Sequence, residues 1–170
     1  APSSLNVGFV GVGGGGNKMA NAFLQLGFNK TLLVNTTGKD IPKNVAEEHV
    51  VLIPDSDGIG KNIEYGKEVL SQNGAIIEDA LRIKLGKVDW LFVMAGGGGG
   101  TGSSVTALHP VFERYMRSVQ SSGKVVYIVS WPTAQENLNP TIARNALALA
   151  NDVTKHPHII LDNERATRLL

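Results

Sequence analysis

The sequence predicts an α/β domain: a doubly wound, mainly parallel sheet of about six strands with helices on both faces. Three observations predict it. Apolar runs without inside–outside alternation recur along the chain, as strands covered on both faces require. Segments with apolar residues at three- and four-residue steps separate those runs, which is the strand–helix alternation of a parallel sheet. Of the 20 glycines, 11 fall in two clusters, Gly11 with Gly13 to Gly16 and Gly96 to Gly100 with Gly102, each directly behind an apolar run. A chain of 170 residues suffices for one such domain, spanning 1–170, without disulfide staples.

Each element has its own signal. Leu5 to Val10 reads as the first strand, and the first glycine cluster follows at once. Asn17 to Leu26 carries Met19, Phe23 and Leu26 at helical spacing and is closed by Gly27. Thr31 to Asn35 is a second apolar strand, and a polar stretch with Gly38 and Pro42 leads to a third, Val50 to Ile53. Pro54 to Gly60 is a loop. Asn62 to Leu70 and Ile76 to Leu85 read as helices with Gly74 between them. Val88 to Ala95 is the strongest strand and runs into the second glycine cluster. Ser104 to Gln120 reads as one long helix with Val105, Leu108, Phe112, Tyr115 and Val119 on one face, closed by Gly123. Pro110 kinks it or marks its first turns. Val125 to Val129 is the next strand. Asn139-Pro140 then gives an N-cap and a first helical position, with Ile142, Ala146, Ala150 and Val153 as the buried stripe. His158 to Leu161 is the last strand, and a helix begins at Asn163 with nothing after it to pack on, so the chain reads as a domain of a longer protein.

Composition narrows the function. Sixteen Lys and Arg against fifteen Asp and Glu leave a net charge of +1, which argues against a partner recognised by bulk charge, whether nucleic acid or an acidic membrane. With no cysteine, disulfides, zinc ribbons, iron–sulfur clusters and thiol catalysis are excluded. No apolar run reaches a membrane span and no basic leader precedes Leu5, so a soluble, cytoplasmic domain without a membrane anchor is expected. His156 and His158 bracket Pro157 without a carboxylate–histidine partner nearby, which suits a strand edge better than a metal site.

The glycine clusters carry the chemistry. Gly11-Val12-Gly13-Gly14-Gly15-Gly16 fits G-x-G-x-x-G between a strand and a helix, where helix N-terminal amides meet phosphate. A dinucleotide site further demands an acid at the end of the second strand; Val34-Asn35-Thr36-Thr37 has none, which weakens the reading of an NAD-binding oxidoreductase domain. Neither cluster is followed by Lys-Ser or Lys-Thr, which weakens an ordinary P-loop. Ala95 to Ser104 decides between them: six glycines with Thr101 and Ser103 form a second amide-lined concavity at a helix start. Two such loops at one edge of a parallel sheet can grip one polyphosphate from two sides. A fold that has lost its ligand remains the bland alternative.

With these residues in view, the chain resembles the tubulin/FtsZ superfamily. Gly98 to Ser103 spells its G-G-G-T-G-S signature. Gly11 to Asn17 resembles the first phosphate loop of FtsZ, Val34-Asn35-Thr36 the second, and Gly58 to Gly66 the third. Pro132 to Glu136 and Asp162-Asn163 are similar to the later ribose and base segments. Asn163-Glu164 and the interval from Glu136 to Arg144 lean toward the phage and plasmid TubZ-like branch.

The resemblance implies a GTP-binding domain with these roles. Gly14, Gly15, Gly16 and Asn17 hold the α- and β-phosphates, Gly13 belongs to the same nucleotide-binding set, and Lys18 stands where many members have an Asn that touches guanine. Asn35 belongs to the second loop. Gly58, Ile59 and Gly60 close on the γ-phosphate, with Lys61 in place of a small residue. Gly98, Gly99, Gly100, Thr101 and Gly102 wrap the β- and γ-phosphates, and Gly97 and Ser103 belong to the same nucleotide-binding set. Glu136 accepts from ribose hydroxyls, Arg144 corresponds to the ribose-side Arg although four residues farther from Glu136, and Asn163 reads the base. The implied ligands are GTP or GDP with Mg2+ held by phosphate oxygens and water. The implied partner is another copy of the protein, stacked head to tail in a filament. Catalytic acids come from that neighbour's loop, which lies beyond Leu170, so no residue here is assigned as general base. Asp55 and Asp57 read as turn residues.

Overall fold

The computed structural model describes residues 6–53 and 59–164. Among them six strands form one all-parallel sheet: β1 (Val7–Val12), β2 (Thr31–Asn35), β3 (Val50–Leu52), β4 (Trp90–Gly96), β5 (Lys124–Trp131) and β6 (His158–Asp162). The α-helices are α1 (Gly13–Gln25), α2 (Ile63–Gln72), α3 (Gly74–Leu85), α4 (His109–Ser118) and α5 (Pro140–Val153). The strand order is β3-β2-β1-β4-β5-β6. The chain thus walks outward from β1 to β3, then returns to the other side of β1 with β4. Phe9 of β1 faces Thr31 of β2 on one side and Phe92 of β4 on the other. The switch point of the sheet lies between β1 and β4, and the C-terminal ends of these two strands carry the two glycine clusters.

The strand residues divide by face. Val10, Val12, Leu32, Val34, Leu91 and Val93 enter the larger core, which α2 to α5 close with Leu70, Leu81, Phe112, Tyr115 and Leu149. Phe9, Leu33 and Met94 enter a smaller core beneath α1, where Phe9 stacks on Phe23 with ring centres 4.3 Å apart. Both faces of the central strands are covered, which is why their sequences lack alternation.

The sheet matches the expected fold class, and three helical segments differ from the sequence reading. The helix expected from Asn17 starts at Gly13, inside the glycine cluster. Glycine is a poor helix former, but here it lets α1 press onto the sheet. The buried side of α1 is Gly13, Gly16, Asn17 and Ala20, whereas Leu26 is 75% exposed. A side chain on Gly16 would collide with the Met94 carbonyl.

The long helix expected from Ser104 is two pieces, a 3-10 helix over Gly102–Leu108 followed by α4. Pro110 sits in the first turn of α4. Without an N–H it cannot bond to the carbonyl four residues back, so the α-helix begins there and the preceding turns tighten. Val105, Leu108, Phe112 and Tyr115 still share the core. The helix ends through Gln120, at φ +57°, ahead of Gly123. In α5 the Asn139 side chain caps the Thr141 and Ile142 amides at 2.9 and 3.3 Å, as the Asn-Pro pair predicts. Its buried stripe is Asn145, Ala146, Leu149 and Val153, rotated from the expected one.

Where α4 meets β5, His109 joins three groups. Its Nδ1 lies 2.8 Å from the Tyr127 hydroxyl, its Nε2 lies 2.8 Å from the Glu113 carboxylate, and its ring stacks on His156 at 3.8 Å. Arg117 faces Glu113 from 3.7 Å. Burial and then the neighbouring His156 hold His109 below the usual histidine range, against the opposing pull of Glu113. Burial also pushes the Tyr127 hydroxyl up, helped by Glu113. The unfolded chain therefore takes up the His109 proton first, near pH 6.5. This contribution to stability is present above that pH and is lost as pH falls below it. Denaturant midpoints measured from about pH 7 down to about pH 5.5 should decline, and His109→Gln should flatten the decline. Parallel curves for the two proteins would contradict the assignment.

Candidate functional site

Two glycine turns stand side by side at the switch point. Gly13 has φ +78°, and a Cβ built on it would lie 2.7 Å from the Gly102 nitrogen, so only glycine fits both its conformation and its neighbour. Next to this contact a cavity of about 280 Å³ opens. Gly14 lines it from the first turn, and residues 99–102 line it from the second. Asn35, Thr36, Thr37, Lys39 and Asp40 add a wall after β2, and Ile59 and Gly60 add one before α2. The α1 N-terminus has no side-chain cap and no acid in its first turn. Its leading amides, which lack helical acceptors, carry a positive partial charge, with the Asp40 carboxylate packed beside Gly14.

A polar network behind the cavity sets the positions of these walls. Asn17 is fully buried in α1. Its amide donates to the Gly11 carbonyl at 2.9 Å and the Val34 carbonyl at 3.2 Å, and its oxygen accepts from Asn35 at 2.8 Å. The Asn35 oxygen in turn accepts from the Thr36 and Thr37 amides at 2.8 and 3.3 Å. The Thr36 and Thr101 hydroxyls meet at 2.8 Å, tying the second loop to the second glycine turn. Whichever hydroxyl accepts keeps its own proton to offer elsewhere. The Asn145 amide joins two more walls, donating to the carbonyls of Lys61 at 2.8 Å and Gly98 at 2.9 Å. Gly100 N–H donates to the Gly60 carbonyl at 2.9 Å.

The residues singled out in the sequence separate into groups. Gly14, Asn35, Ile59, Gly60, Gly99, Gly100, Thr101 and Gly102 line the cavity together. Ile59 also buries its side chain in the larger core, anchoring its loop. Gly13, Gly16 and Asn17 stand behind the cavity as packing and strut. Gly15 is exposed, beside Gly96. On the other turn, Gly97 N–H bonds to the Ser130 carbonyl at 2.9 Å, and Gly98 N–H donates to the buried Ser103 hydroxyl at 3.0 Å. Those groups hold the turn's shape. Lys18 is exposed on α1, away from the cavity lining.

Glu136 and Asn163 follow β5 and β6 at the same sheet edge, beyond the cavity lining. The Glu136 carboxylate accepts from Thr133 N–H at 3.0 Å, closing a short turn, and Ala134 N–H bridges to Glu164 at 2.7 Å. Lys61 and Arg144 line a different cavity of about 600 Å³ between α2 and α5. Gly58, like Asp55 and Asp57, lies outside the described residues.

The sequence reading missed Thr37, Lys39, Asp40 and Asn145 as parts of this region, and gave Thr36 no role. For Asn145 there was a signal: an amide four residues before Leu149 on a helix with an otherwise apolar face. Lys39 and Asp40 sit in an unpatterned polar stretch, and only the turn after β2 brings them back. A larger cleft of about 490 Å³, lined by Val7, Phe9, Phe23, Phe28, Trp90, Phe92 and Ile128, is almost entirely apolar and includes the starts of β1 and β4, at the other end of these strands. Its one polar side-chain group is the Trp90 indole N–H, too little to orient a polyphosphate.

Because Asn17 connects three chain segments, Asn17→Ala should lower unfolding free energy by about 2–4 kcal/mol, leaving two carbonyls and the Asn35 amide without their partner. Urea unfolding measures this; a loss below about 1 kcal/mol would show that the network relaxes without it.

Comparison with known proteins agrees with this geometry. The Tubulin/FtsZ family, GTPase domain, matches residues 6–170. Cell division protein FtsZ 1 of Pyrococcus horikoshii is 28% identical over 165 residues, covering 92% of this chain and 41% of that protein. CetZ from Methanosaeta thermophila superposes with a TM-score of 0.81 at 27% identity, covering 94% of this chain and 46% of that one. A GTPγS-bound protofilament of CetZ2 from Haloferax volcanii superposes with a TM-score of 0.76 at 26% identity, covering 94% and 50%. The chain thus spans about half or less of each of these relatives. With the six-stranded parallel sheet, the paired glycine turns and a match over nearly its whole length, the chain belongs to the tubulin/FtsZ family as its GTPase domain.

Proposed function

We propose that this domain binds GTP and GDP with Mg2+ and serves a GTPase that stacks head to tail into filaments, the neighbouring subunit completing hydrolysis. The observation that carries the reading is the convergence of both glycine turns on one cavity at the switch point. Phosphate oxygens hold water strongly, so displacing it takes many donors at once. The α1 amides and the second turn are a source of such donors without long side chains to order. Asn35, Thr36 and Thr101 support the reading by fixing the second loop against the second turn.

Mg2+ suits the oxygen donors present. The Asp40 carboxylate and the Thr36–Thr101 hydroxyls lie at the cavity, and among the described residues no group of three or more His, Asp or Glu forms a closed cage. The ion would be held by one carboxylate, phosphate oxygens and water, and would neutralise charge on the phosphates. Self-association is supported by the CetZ2 protofilament, and a heterologous contact of that kind propagates instead of closing. Among the described residues no helix is long and apolar enough to cross a membrane; we read the setting as cytoplasmic.

The test is competition for a fluorescent GTP analogue bound to this chain. GTP and GDP should displace it, and NADH should not. Displacement by NADH alone would favour the oxidoreductase reading, and binding of neither would favour a fold without its ligand. The same preparation should turn GTP over poorly, since no residue here is assigned as general base. Robust turnover would overturn the neighbour-completed mechanism.

A further inference from the structure

We propose that Lys39 is the cation that reads the terminal phosphate, so that this domain distinguishes a nucleoside triphosphate from a diphosphate through that one side chain. The inference rests on the nucleotide reading above and adds to it the residue that sets phosphate-number selectivity.

Lys39 lies in the 3-10 turn Gly38–Asp40 that follows β2. The turn is held at its start by Thr37, whose hydroxyl accepts the Lys39 amide at 3.3 Å. It lines the same cavity as the two glycine turns, and its Asp40 packs beside Gly14. Among the described residues Lys39 is the one basic residue in the lining: Lys61 and Arg144 line the separate cavity between α2 and α5, and Lys18 is in neither. Two half-buried lysines elsewhere are paired, Lys67 with Asp152 at 3.1 Å and Lys84 with Glu48 at 3.0 Å. Lys39 has no such ion pair among the described residues, although Asp40 is its neighbour in sequence.

The charge requirement explains why this matters. Backbone amides at a helix N-terminus supply only a partial charge, equivalent to about half an elementary charge. A triphosphate carries about one more unit of negative charge than a diphosphate, so it gains more from a full cation in the same cavity. An ammonium on a flexible four-carbon stem can reach whichever terminal oxygen the rigid amide walls leave unmatched. Among the described residues the other walls supply no cationic side chain, so beside the Mg2+ held with the phosphates the protein's own charge for the extra phosphate comes from Lys39.

The experiment measures Kd for GTP and GDP, by competition with the fluorescent analogue, for the wild-type chain and three variants. Lys39→Gln removes the charge, Lys39→Arg keeps it, and Lys43→Gln removes an equal charge from an exposed site outside the cavity. Lys39→Gln should weaken GTP about tenfold and GDP no more than about twofold. Lys39→Arg should restore most of the difference, and Lys43→Gln should match wild type. Thermal midpoints should agree across the set, because both lysines are exposed. If wild type binds the nucleotides but Lys39→Gln leaves the ratio of GTP to GDP affinity unchanged, the inference fails while the nucleotide reading stands. If wild type binds neither, the nucleotide reading itself fails.

Discussion

The contact on which this structure depends is backbone against backbone. Where β1 and β4 end, Gly13 lies against Gly102 and Gly16 lies against the Met94 carbonyl, with no side chain between them. Parallel strands lie about 4.8 Å apart. Turns that leave two adjacent strands in the same direction can stay that close only if neither carries a Cβ at the points of approach. The glycines therefore have two duties. Some, such as Gly14 and Gly99, are open to the cavity; others are packing residues that let the first group face each other.

Bringing two turns together also creates polar obligations. Backbone carbonyls freed at the strand ends need donors, and the interior supplies them as short side chains rather than water. Asn17 serves Gly11 and Val34, Asn145 serves Lys61 and Gly98, and Ser103 receives the Gly98 amide. No buried side-chain nitrogen or oxygen among the described residues lacks a partner. Such a satisfied network holds its members in one arrangement. The loops around the cavity are thus positioned from behind, and a ligand would meet walls that need little reordering.

The sheet and the meeting of the two glycine turns were legible because they rest on strong local signals: unbroken apolar runs, and glycines placed directly behind two of them. The start of α1 was not, because glycine's low helix propensity is overridden by the close packing that only glycine allows. The 3-10 segment before His109 was half visible in Pro110, which forbids an α-helical bond but does not say what replaces it. Asn17 was read as a phosphate contact from the first helix, and the bracing of the fold by its side chain was not foreseen. Whether a short amide faces inward or outward depends on the third dimension. Lys39 and Arg144 make the same point for charge. One lies in an unpatterned stretch yet lines the cavity, while the other sits on a regular helix that carries it to a different face.

The central claim is that both turns serve one ligand. Amide resonances of an isotopically labelled chain, followed during titration with GTP and Mg2+, test it most directly. The account predicts that the Gly14 amide and those of Gly99, Gly100 and Thr101 move together with one midpoint, while Trp90 and Phe92 in the apolar cleft stay in place. Movement confined to one turn, or centred on the aromatic cleft, would contradict it.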